Sequence, residues 1–110
     1  MAILTRIHFG LRDAAYSLDE QAAGRTPELS RLLSGTITLD TLFRRRALDP
    51  DLQDAALSLE RIVRQSAFKF DEQERTRAAE LAEKMRILAD SYCERRRLIG
   101  DREPLVTQNP

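Results

Sequence analysis

The sequence predicts an all-α protein, a small helical bundle that closes with an antiparallel helical hairpin at its C-terminal end. Three observations carry that expectation. Ala and Leu supply 29 of the 46 apolar residues, against 8 from Ile and Val, and the first pair favours helix while β-branched residues favour strands. Apolar residues recur at intervals of three and four through most of the chain, the period of a helix with one buried face. Thr or Asp, followed by Pro or acidic residues, stands ahead of several of these runs, where such residues cap helix N-termini.

Each element follows from its own residues. In the first segment Leu4, Ile7, Leu11, Ala14, Ala15, Leu18 and Ala22 fall at helical spacing. A helix is expected from about residue 11 to 23, with Gly24 as its C-terminal cap. Residues 2–9 carry two readings, because Ile3, Thr5, Ile7 and Phe9 also alternate as in a half-buried strand. Gly10 stands at the seam and weakens a continuous helix by up to about 1 kcal/mol relative to Ala.

The second segment reads as two short helices. Thr26-Pro27-Glu28 is a cap, a first-position proline and a dipole-matched acid. A helix should run from Pro27 to Ser34, with Leu29, Leu32 and Leu33 on one side, and stop at Gly35. Thr36–Leu39 would then be an extended link, or a short strand pairing with residues 3–9. Asp40 would cap a helix from Thr41 to about Ala47.

Asp49-Pro50-Asp51 opens the third segment, whose apolar face is Leu52, Ala55, Ala56, Leu59, Ile62 and Val63. The fourth starts at Asp71, with Glu74 completing a capping box, and runs through Ala78, Leu81, Met85, Leu88, Tyr92 and Ile99 to Gly100. The registers of these two segments are two residues out of phase, which favours a break near Phe68–Phe70 and a hairpin. Residues 1–100 thus read as one helical domain, and 101–110, with two prolines, as a flexible tail.

Composition narrows the function classes. One His and one Cys do not supply a zinc site, and one Cys forms no internal disulfide. The four glycines match no phosphate-binding loop, so no cofactor and no metal is expected. No stretch approaches the ~20 apolar residues of a membrane helix, and no signal-like apolar run follows Met1. A cytoplasmic protein with no membrane partner is the expectation. Eighteen Lys+Arg balance eighteen Asp+Glu, and by thirds the balance stays near zero, at +4/−4, +6/−5 and +8/−9. Phosphate affinity needs uncompensated positive charge, so nucleic acid is a weak candidate partner.

Catalytic parts are scarce. A nucleophile–base pair would depend on His8, read here as a partly exposed polar residue, and Cys93 reads as a half-buried helical thiol. No catalytic residue is expected. Arg44, Arg45 and Arg46 beside Leu42 and Phe43 form a candidate partner-binding patch. Phe68 and Phe70, flanking Lys69 at the predicted turn, are further candidate anchors. Residues 71–99 as one helix would span about 43 Å, against a radius of gyration near 13 Å for a compact domain this size. That overhang, with a narrow seam of Leu81, Met85, Leu88 and Tyr92, predicts a homodimer interface.

The expected function is a small non-enzymatic regulatory or adaptor protein, of antiactivator, chaperone or immunity type, that binds another protein as a homodimer. The alternative is a helix-turn-helix-like DNA-binding regulator, with residues 27–34 as first helix and the Arg44–Arg46 helix as reader.

Overall fold

A computed structural model describes residues 3–45, 49–64 and 70–102, with side chains over 6–42, 49–64 and 70–92. Four helices follow in order: α1 (Ile3–Ala22), α2 (Leu29–Arg45), α3 (Pro50–Arg64) and α4 (Glu72–Arg102). The described residues hold no strand, and the protein is an all-α helical bundle. It measures 47 × 23 × 22 Å, and the long axis matches the ~46 Å expected of a 31-residue helix such as α4. The predicted tail at 103–110 lies outside the described residues.

Three of the predicted boundaries hold, and each has its capping bonds. At the end of α1 the N–H of Arg25 donates to the Glu20 carbonyl and that of Gly24 to Gln21, while Gly24 has φ 77°. That is the left-handed cap that an absent Cβ favours. The Asp49 carboxylate accepts from the N–H groups of Asp51 (3.0 Å) and Leu52 (3.3 Å) ahead of α3. Asp71 and Glu74 bond reciprocally, side chain to N–H, at 2.8 and 3.0 Å.

Elsewhere the helices run further than the sequence predicts. Residues 3–9 are helix, continuous with α1 through Gly10. Residues 36–39 are helix too, so the two predicted short helices are one, and Gly35 lies inside it. Helix α2 starts at Leu29, two residues later than expected, and the Glu28 N–H donates to the Tyr16 hydroxyl (2.9 Å). Helix α4 continues past Gly100 to Arg102.

Gly10 and Gly35, both inside helices, have the same cause. A Cβ on Gly35 would sit 2.7 Å from the backbone N and Cα of Ala14, and one on Gly10 would overlap the Thr38 side chain. They are the two points where α1 and α2 cross at close range. The helix-propensity cost of glycine, about 1 kcal/mol each, is offset by backbone contact that a side chain would prevent.

Helix α1 is the centre of the core. It packs antiparallel against α4 on one side and α2 on the other, while α3 rests mainly on α2. Leu11 and Leu18 of α1 meet Leu39, Leu52, Leu59, Leu81 and Met85, all fully buried. Alanines thin the α1–α4 contact: Ala15 on one side, Ala78, Ala82 and Ala89 on the other. The buried face of α4 is therefore broader than a coiled-coil seam. His8 is buried as well, not partly exposed, and its Nδ1 lies 2.7 Å from the Ala89 carbonyl.

Candidate functional site

The predicted dimer seam is covered by the chain itself. Leu81, Met85 and Tyr92 are buried in the core and Leu88 packs partly buried against it. Helix α1 supplies apolar cover of the kind expected from a second copy, so Leu81, Met85 and Tyr92 are not on the surface and Leu88 is only partly so. Leu42 likewise faces the core and not a partner. Phe70 is half-buried, with the Arg61 guanidinium 5.5 Å from its ring centre. Phe43, Arg44 and Arg45 belong to α2 by backbone, and their side chains, with Arg46 and Phe68 entirely, lie outside the described residues. The helix-turn-helix outline needs a turn at 36–39, and α2 is unbroken there.

A different surface emerges once α2 is one helix. Leu29, Leu33 and Ile37 are four residues apart and line its outer face, 64%, 40% and 66% exposed. Residues at that spacing are neighbours on a helix. Around Leu33 the adjoining positions are Leu29, Ser30, Thr36 and Ile37, none of them charged. Between Leu29 and Leu42 the only charged residues are Arg31 and Asp40, in a chain that is 33% charged overall. Arg31 turns toward α1, where it pairs with Asp13 (2.9 Å) and lies 3.8 Å over the Tyr16 ring.

Three hydroxyls on or beside this face are bonded within the chain. The Thr36 hydroxyl donates to the Leu32 carbonyl (2.7 Å) and that of Thr41 to Ile37 (3.0 Å). Ser30 donates to the Glu28 carboxylate (2.7 Å). Covering such a face strips little water from unpaired polar atoms, which is the usual cost of burying a polar surface. Ile87 on α4 is a useful contrast. It is 61% exposed, but its helical neighbours are Glu83, Lys84, Asp90 and Ser91, so it is an isolated apolar residue on a solvated face.

Charge elsewhere is spent on internal pairing. Arg25 holds the Glu20 carboxyl below the usual glutamate range. Arg86 bridges Glu83 on its own helix and Asp19 on α1. Among the described residues no cluster of three or more His, Cys, Asp or Glu side chains is placed to hold a metal, and no helix is long and apolar enough to cross a membrane.

The sequence reading missed the α2 face because it ended a helix at Gly35. The signal was present: Leu29, Leu33 and Ile37 at intervals of four, in a stretch depleted of charge. Fold and surface together define a small all-α bundle with an apolar stripe of Leu29, Leu33 and Ile37 turned outward from α2. Comparison with known proteins finds no matching family model, no matching curated protein and no matching solved structure.

Proposed function

We propose that this chain is a small non-enzymatic regulatory or adaptor module that binds another protein through the outer face of α2. The observation that carries the reading is the Leu29–Leu33–Ile37 stripe, exposed and free of charged neighbours around Leu33. Charge depletion with retained aliphatic groups distinguishes the centre of a protein interface from ordinary surface. An amphipathic helix laid along the stripe would use anchors at the same spacing.

Affinity capture with wild type and two variants tests it. Leu33→Glu places a charge at the centre of the stripe, and Ile87→Glu places the same charge at the isolated residue on α4. A partner retained by wild type and Ile87→Glu, and lost by Leu33→Glu, supports the reading. A partner retained by all three contradicts it.

A further inference from the structure

Ion pairs bridge α3 and α4, and beside them lies a cleft of about 900 Å³. Its floor is Leu81 with Gln21 from the last turn of α1, and Leu57, 52% exposed, stands on its α3 wall. Gln21 is only 2% exposed. Its Oε1 is a buried acceptor with no hydrogen-bond partner, a condition that native structures rarely leave uncompensated.

The surroundings indicate what the missing donor is. Four carboxylates, of Asp54, Glu72, Glu74 and Glu80, line the cleft against two guanidinium groups, Arg61 and Arg77. Both arginines are already engaged. Arg61 pairs with Glu74, and Arg77 pairs with Asp54 (2.7 Å), Asp51 and Glu80 (both 3.3 Å). The lining keeps a formal charge of −2, while the C-terminal end of α1 beside it is already capped by Arg75, whose Nε donates to the Ala22 carbonyl (3.0 Å). A cation with N–H donors complements this site, and the exposed Leu57 suits the aliphatic stem behind it.

We propose that the α3–α4 cleft binds a peptide segment through a lysine or arginine side chain, whose stem lies along Leu57 and whose N–H groups reach Gln21 and the rim carboxylates. The cleft is far larger than one basic side chain fills, which favours a peptide over a free amine. This site is independent of the α2 face, and either stands if the other fails.

NMR titration of the full chain tests it with three probes: a capped Leu-Lys-Leu peptide, the same peptide with norleucine for lysine, and butylamine. The lysine peptide should give saturable shifts at Leu57, Ser58, Thr76 and the Gln21 side-chain amide. The norleucine peptide should bind at least tenfold more weakly, and butylamine should not saturate in the same range. Gln21→Leu, which replaces the orphaned amide with an apolar side chain of similar size, should weaken the lysine peptide at least fivefold. Glu72→Gln with Glu80→Gln should do the same and guards against a folding defect in the first variant. Equal shifts from the norleucine peptide overturn the proposal, as does unchanged binding in both variants, which leaves Gln21 as a partner for buried water only. Butylamine binding as tightly as the peptide overturns the peptide assignment.

Discussion

The α1–α2 and α3–α4 contacts both join antiparallel neighbours in one small bundle, and they are built in opposite ways. Between α1 and α2, Gly10 and Gly35 remove side chains so that backbone meets Thr38 and Ala14 directly. Between α3 and α4, Arg61, Arg77 and Lys84 reach across a gap to Glu74, Asp51 and Asp54. The first contact is intolerant of added volume at both glycines. The second is bridged by half-exposed ion pairs, which add little stability because solvent screens them. The contrast shows where the chain puts rigidity. Helix α2, which presents the outward apolar stripe, is fixed to α1 at backbone range, so the proposed docking face sits on a close contact, while the cleft sits on a sparse one.

The largest test of that contrast is Gly35→Val. It forces α1 and α2 apart at the Ala14 backbone and should cost about 3 kcal/mol or more in urea unfolding. A loss under about 1 kcal/mol would mean that the helices do not cross closely there. Gly10→Ala comes next and sets two effects against each other. Helix propensity favours Ala by up to about 1 kcal/mol, and overlap with Thr38 costs more, so a net loss of about 1–2 kcal/mol is expected. Thr38→Ala in the same chain should recover part of it, as coupled neighbours do.

On the other side of the bundle the effects shrink. Arg77→Ala should cost about 1 kcal/mol or less, because the guanidinium is 37% exposed, and the loss should fall further in high salt. The α4 cap adds a pH dependence. The Asp71 N–H, and then Arg61, holds the Glu74 carboxyl below the usual glutamate range. A carboxyl depressed in the folded chain contributes stability above its unfolded pKa and loses it as pH falls through the folded value. Stability should therefore decline below about pH 4, with a shallower decline in Glu74→Gln. Smallest of all is Leu33→Glu, which should change unfolding stability by about 0.5 kcal/mol or less, since it alters an outward residue.

Helix class, the caps at Asp49 and Asp71, and the Gly24 terminus were legible because each depends on neighbours a few residues away. The seam of α4 was legible as buried, but not what buries it. Leu81 and Met85 look alike in sequence whether α1 or a second copy covers them. Gly35 was misread for a related reason. In a single chain a helix-stopping glycine and a helix-crossing glycine are the same letter, and only Ala14, twenty-one positions earlier, distinguishes them. That one misreading hid the α2 face, since Leu29, Leu33 and Ile37 share a line only if the helix continues. The cleft was beyond reach, because an unpartnered Gln21 is defined by what α3 and α4 fail to offer it.

Site-specific photocrosslinking tests the central claim, that the outer face of α2 docks a protein, most directly. A benzophenone side chain would replace Leu33 in one variant and Ile87 in another, and both would be irradiated in the native cell extract. The account predicts a discrete heavier adduct from position 33, containing a second, different protein, and none from position 87. The same adducts from both positions, or none from position 33, would contradict it.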